Sequence, residues 1–253
     1  FTDFNRSIFI TMNSSGPQTG TLNGGGMVGT FKIDNPLAVV NTAGVGTFTT
    51  NNAFIMNDGT FNGGSINLLF YVFGLHGGTF TSTSGNFTDW NHFIHTGGVF
   101  NHNNGTMTFA TISGAQAIDV PVTDTFFDLN FNSPINTGIT IGGGDTLIVL
   151  NNLYLTDGGS TGGTLEARGN VIVHPTVDIA DSLLNFKGSA NQTFDLTGAA
   201  DQYDGDININ KTGGVVTLLS DLIMNTAGQD LTIVDGIFSL NGKGLSVAGV
   251  FSN

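Results

Sequence analysis

Residues 77–109 read GGTFTSTSGNFTDWNHFIHTGGVFNHNNGTMTF. Gly77-Gly78-Thr79-Phe80 returns as Gly97-Gly98-Val99-Phe100, about 20 residues on, and Asp58-Gly59-Thr60-Phe61 precedes the first copy by a similar step. Between these marks, large apolar residues alternate with Thr, Ser or Asn in short runs closed by Gly or Asn, the pattern of short half-buried strands joined by tight turns. Such a unit cannot bury its apolar face alone, but stacking on its neighbours does so. The stretch therefore predicts a stacked β-solenoid.

Working outward, the triad Gly-Thr-Phe recurs at Gly29-Thr30-Phe31, Gly46-Thr47-Phe48, Gly59-Thr60-Phe61 and Gly78-Thr79-Phe80. Its uneven spacing is expected to reflect one corner of variable length, with the phenylalanines stacked inward from coil to coil. Phe61, Phe80 and Phe100 are the residues expected at equivalent positions. A longer repeat lies beyond. Gly114-Ala115-Gln116-Ala117-Ile118-Asp119-Val120 resembles Ala190-Asn191-Gln192-Thr193-Phe194-Asp195-Leu196, and Leu129-Asn130-Phe131-Asn132 resembles Ile207-Asn208-Ile209-Asn210. The organisation expected is an N-terminal cap or interacting segment over 1–35, then one continuous array over 36–253. Within the array a multi-coil module is duplicated, at about 110–185 and 186–253.

Composition sets the remaining bounds. The 253 residues include 38 Gly, no Cys and 21 Phe, against one Trp and three Tyr. Of the 19 acidic residues only Glu166 is a glutamate; the rest are aspartates, which prefer turns to helix interiors. Helix is therefore expected to be almost absent. With six Lys plus Arg and a net charge of −13, the chain lacks the basic stripe that a nucleic-acid binder needs, and anionic membrane surfaces are disfavoured. The most apolar run, Ile66 to Leu75, is too short to span a bilayer. The start, Phe1-Thr2-Asp3, has no signal-peptide pattern and reads as a mature product or an excised fragment. An exterior of Thr, Ser, Asn and Gly with few charges points to an extracellular or cell-surface setting.

The strings Phe100-Asn101-His102-Asn103-Asn104-Gly105-Thr106-Met107-Thr108-Phe109 and Asp204-Gly205-Asp206-Ile207-Asn208-Ile209-Asn210-Lys211-Thr212-Gly213-Gly214, with the Gln116 and Leu129 segments, resemble repeats of large secreted bacterial surface proteins. These are right-handed parallel β-helices of the autotransporter-passenger and filamentous-adhesin kind. The resemblance covers about 97–253 and implies an extracellular stalk, adhesin or filament. It supplies no catalytic motif. The full expectation is an all-β, right-handed parallel β-helix of roughly a dozen coils of about 20 residues.

Candidate sites are few. His92 and His95, with Asp89 nearby, have a metal-like spacing, but residues three apart on a strand point to opposite faces. Asp201, Asp204 and Asp206 place three carboxylates around a glycine turn, a set suited to Ca²⁺ or to ordinary solvated turn aspartates; no other cofactor is implied. Asp178 with Asp181, or Asp204 with Asp206, are the available acid pairs for a carbohydrate-active enzyme, yet the basic residues Arg6, Lys32, Arg168, Lys187, Lys211 and Lys243 look scattered. No enzymatic activity is expected; the alternative is a carbohydrate-active or carbohydrate-binding β-helix using one long face, with Trp90 and Tyr71 as candidate sugar platforms. Thr47/Thr49, Thr79/Thr81 and Thr106/Thr108 suggest outward threonine ranks of an ice-binding kind, interrupted by Asn62 and Val99. The apolar entry Phe1, Phe4, Ile8, Phe9, Ile10 and the strand-like end Leu245, Val247, Val250, Phe251 are expected to meet in end-to-end self-association. A second copy and a surface glycan or receptor are the partners expected; nucleic acid and membrane insertion are not.

Overall fold

The computed structural model describes residues 9–134, 138–178, 180–196, 198 and 203–253. Among the described residues it is all-β without helix: parallel strands stack about 21 residues apart in a β-solenoid of about 11 turns. Each turn has three strand segments, which pair with the equivalent segments of neighbouring turns except at one seam on the second face. The first face runs through Phe9–Met12, 30–33, 53–56, 72–75, 92–95, Gln116–Asp119 and Ile139–Ile141. The second begins with Gln18–Asn23, Ala38–Ala43, Thr60–Asn62, Thr79–Thr81 and Val99–Asn101. The third contains 47–50, 67–70, 86–89, Thr106–Phe109, Asp128–Asn132 and Asn152–Asp157.

Alternation along each strand decides which side chains enter the core. In Thr79–Thr81 only Phe80 is buried, and in Thr60–Asn62 only Phe61. Register then stacks like on like: Phe61 pairs with Phe80 and Phe80 with Phe100. Their rings lie parallel, with centroids 4.8 Å and 5.8 Å apart. A second ladder, Phe31, Phe54, Phe73 and Phe93, fills the first face. The Gly-Gly turns before Thr79 and Val99 are required by crowding as well as by backbone angle. Gly78 has φ +74°, and a Cβ there would meet the Gly59 carbonyl oxygen at 2.5 Å.

One expectation is corrected. The Gly-Thr-Phe triads do not form a single rank: Phe31 pairs with Phe54 on the first face, Phe48 with Leu68 on the third, and Phe61 with Phe80 on the second. Their uneven spacing thus reflects three faces, not one elastic corner. Threonines divide likewise. Thr47, Thr49, Thr106 and Thr108 lie on the third face and Thr79 and Thr81 on the second, so no single threonine face forms.

Phenylalanine gives way to aliphatic ranks in the later turns. Leu147, Leu165, Leu184, Ile207 and Leu231 follow one another in register on the second face. The change coincides with a seam. The second-face ladder stops at Val99–Asn101 and resumes at Thr123–Phe126, which pairs onward with Thr146–Val149 but not back. Extra chain enters here: His92 pairs with Ala117, 25 residues away, whereas Val72 pairs with His92, 20 away. Side chains close the gap, with Phe126 packed on Phe100 and Phe93. Val122, beside the seam, has φ +138°, a strained angle for a β-branched residue.

Candidate functional site

The second face carries the one glutamate of the chain. Glu166 lies in Thr164–Ala167, at a position that alternation turns outward, yet it is nearly buried because two cations cover it. Arg168, two residues on, points to the same side and donates from Nε and Nη2 to Oε1, each at 2.7 Å. Lys187 arrives from the next turn, since Ala167 pairs with Phe186, and donates from Nζ to Oε2 at 3.0 Å. Arg168 and Lys187 remain 46% and 38% exposed. Together with Gly188, Asn210 and Thr212 the three form an open depression of about 380 Å³. The basic residues read as scattered in the sequence are therefore not scattered here: two of them converge on one carboxylate.

The aspartates have a different role, recurring from turn to turn. Asp206 Oδ1 accepts the Asp230 N–H at 2.8 Å, Asp230 Oδ1 accepts the Val250 N–H at 2.7 Å, and Asp221 Oδ1 accepts the Gly244 N–H at 2.8 Å. Each carboxylate caps the backbone one turn further on, where a corner leaves an N–H without a ladder partner. Asp204 likewise accepts the Thr226 hydroxyl at 2.7 Å. Asp201 lies outside the described residues. Among the described residues no group of three His, Asp or Glu side chains is placed to hold a metal ion. Asp89, His92 and His95 diverge, as strand geometry requires. His92 Nδ1 accepts the Ala117 N–H on the outside, while Asp89 and His95 are buried inside.

The interior glutamines and Lys211 were not singled out from the sequence as buried groups. Gln116, Gln192 and Gln229 are all buried and reach back one turn. Gln116 donates to the Asp89 carboxylate and carbonyl, Gln192 to the Ala167 and Gly169 carbonyls, and Gln229 to the Tyr203 and Gly205 carbonyls. The signal was present: Gly114-Ala115-Gln116 and Ala190-Asn191-Gln192 have a third copy, Ala227-Gly228-Gln229. Lys211 is buried with no carboxylate partner among the described residues, donating to the Ala190 carbonyl and Gln192 Oε1, and burial lowers its pKa. Asp89 stands between Phe70 and Phe109 in its rank, and burial pushes its pKa well above the ordinary carboxylate value, against the pull of the Gln116 amide.

At the seam His95 occupies the position after Leu75 in an otherwise aliphatic rank, and Asp124 the position before Leu147. Both are buried, and His95 Nδ1 lies 2.9 Å and 2.8 Å from the two Asp124 oxygens. Burial opposes protonation of His95, but the hydrogen bond to Asp124 and its charge outweigh it, so the imidazole pKa is raised. Burial, with a contribution from Asp145, also raises the pKa of Asp124 against the pull of His95. His95 Nε2 is buried and makes no hydrogen bond among the described residues.

The remaining candidates are placed as follows. Tyr71 and Trp90 sit half-buried at the same corner of successive turns, with the Tyr71 hydroxyl 3.4 Å from Ser113 Oγ. Ile10 packs on the first core turn, and Phe1, Phe4 and Ile8 lie outside the described residues. At the other end Val250 and Phe251 are 60% and 55% exposed, beside half-buried Leu245 and Val247. In comparisons with known proteins the chain matches no family model, no curated protein and no solved structure.

Proposed function

We propose that the chain is a structural module, a rigid β-helical stretch of an extracellular bacterial stalk, adhesin or filament, with no catalytic activity of its own. The observation that carries the reading is the interior, filled turn after turn by ranks of Phe, Leu, Ile and Val that are 0–4% exposed, from Phe31 through Leu231. A core of this kind makes each turn the template for the next and yields stiffness along the axis. The carboxylates are also committed to structure. Both oxygens of Glu166 are held by cations, and Asp204 and Asp206 are engaged by the following turn.

Catalytic silence is tested by incubating the protein with neutral and acidic polysaccharides and assaying new reducing ends. None is expected, and turnover abolished by Glu166→Gln or Asp204→Ala would replace the structural reading with the enzymatic one. The surface assignment is tested by antibody labelling of intact cells of the source organism, where labelling only after lysis would contradict it.

The reading also assigns a partner to the apolar face formed by Leu245, Val247, Val250 and Phe251, namely a coil of a second copy, entering through Phe1–Ile10. Edge strands with exposed apolar residues favour such addition. Light scattering should show association that Phe251→Asp reverses; a monodisperse monomer at high concentration would refute this part.

A further inference from the structure

We propose that the Glu166–Arg168–Lys187 depression binds a saccharide that carries one carboxylate next to a neutral sugar. Register places Leu150, Arg168, Lys187, Asn210 and Asp235 in one outward rank, each a turn from the last, because Val149 pairs with Ala167, Ala167 with Phe186, Phe186 with Ile209, and Asn210 with Asp235. The rank thus reads apolar, cation, cation, amide, carboxylate along the rod.

Each cation retains binding capacity. Arg168 uses two of its five N–H donors on Glu166, and Lys187 one of its three. Glu166 has both oxygens occupied, so the depression offers an incoming group donors and little competition for them. Two like charges stacked on neighbouring strands repel each other, and Glu166 beneath offsets only one of them. A carboxylate lying over Arg168 and Lys187 would neutralise the other through charge-assisted hydrogen bonds.

Beyond the cations, Asn210 and Thr212 line the same depression with exposed side chains. Beside Glu166 in its own rank, Asn185 has a buried Oδ1 without a hydrogen-bond partner among the described residues. An amide and a hydroxyl at fixed spacing suit ring hydroxyls. Successive turns rise by about 4.8 Å, close to the length of one pyranose ring, so adjacent sugars of a chain meet adjacent turns. The sequence of charges then sets selectivity. Asp235, next after Asn210, opposes a second carboxylate, and the net charge of −13 disfavours polyanions at long range. The ligand class is an acidic sugar linked to a neutral one, and not a polyuronate.

Titration calorimetry with three disaccharides tests this: glucuronosyl-glucose, cellobiose and digalacturonate. Glucuronosyl-glucose is expected to bind at least ten-fold more tightly than either of the others. Lys187→Gln, which keeps the stem and leaves the Arg168–Glu166 pair intact, should remove that preference without changing the melting temperature by more than a degree or two. Asn210→Ala should weaken binding several-fold. Asp235→Asn should raise the affinity for digalacturonate. Equal binding of cellobiose, binding indifferent to Lys187→Gln, or no saturable binding of glucuronosyl-glucose would each overturn the proposal. Cleavage of the disaccharide would instead overturn the structural reading, so the two failures are distinguishable.

Discussion

Phe80→Ala is the perturbation that bears hardest on the stacked core. Phe80 is fully buried, and its ring lies 4.8 Å from those of Phe61 and Phe73, 5.5 Å from Phe54, 5.8 Å from Phe100 and 5.9 Å from Phe87. Removing it forfeits the transfer free energy of a buried aromatic side chain, roughly 1.5 to 3 kcal/mol. It also leaves a cavity, at about 24 cal/mol per Å³ that does not collapse. Collapse is limited here because the backbone ladders on either side hold the neighbouring turns at their spacing. The sum should fall in the upper part of the range for Phe→Ala, about 4 kcal/mol. Because turns contact only their neighbours, the loss should appear first as faster amide exchange in the turns around 60–62, 79–81 and 99–101. Urea denaturation followed by circular dichroism gives the magnitude and hydrogen exchange the location. Val99→Ala, in the same ladder but facing outward and half exposed, should change stability by less than about 0.5 kcal/mol. A Phe80→Ala loss no larger than that of Val99→Ala would refute the inward stack.

Two further predictions concern buried charge. Asp89 has a folded pKa raised by burial, so the fold holds its proton more firmly than the unfolded chain does. The stability it contributes is complete below about pH 4 and is lost as pH rises towards the folded pKa, at about 1.4 kcal/mol per pKa unit. Asp89→Asn should therefore flatten the fall in urea stability between pH 4 and 8 and leave the variant more stable than the parent at pH 8; an unchanged slope would contradict the burial argument. At the seam, His95→Leu leaves Asp124 buried without its partner and should cost about 3 to 5 kcal/mol. His95→Leu with Asp124→Leu continues the aliphatic ranks of Leu75 and Leu147, and should restore or exceed the parent's stability. A double variant as unstable as the single one would show that the pair is worth more than its packing.

The parts of the fold legible in the sequence were those written in local alternation. Thr79-Phe80-Thr81 and Val99-Phe100-Asn101 announce strands with one inward residue, and their shared Gly-Gly lead-in gives the register between them. The three-faced turn was harder to see because the same Gly-Thr-Phe triad precedes strands on different faces. It marks a corner and does not say which corner. Turn lengths hid the candidate site for the same reason. Arg168 is two residues from Glu166 and hence on its side of the strand, but Lys187 joins them only if the turn is counted as 19 residues, whereas neighbouring turns range from 18 to 25. Asp204 and Asp206 suggested a cation site through their density, and it took the pairing of turns to show Asp204 bonded to the Thr226 hydroxyl and Asp206 capping the Asp230 N–H. The inward position of Lys211 had no sequence signal, because lysine at a strand corner ordinarily points to water.

The register of the turns is the claim from which the rest follows, and the absence of cysteine permits a direct measurement of it. Thr60 and Thr79 are paired one turn apart on the second face, both outward and partly exposed. Their Cα separation should be near the strand spacing of about 4.8 Å, within disulfide reach. Thr47 and Thr60, which both follow glycine and precede phenylalanine and are closer in sequence, lie on different faces. Mild oxidation of Thr60→Cys/Thr79→Cys should give a quantitative intramolecular disulfide without loss of β-sheet circular dichroism, whereas Thr47→Cys/Thr60→Cys should stay reduced. Cross-linking of the second pair, or failure of the first in folded protein, would contradict the stacked three-faced solenoid.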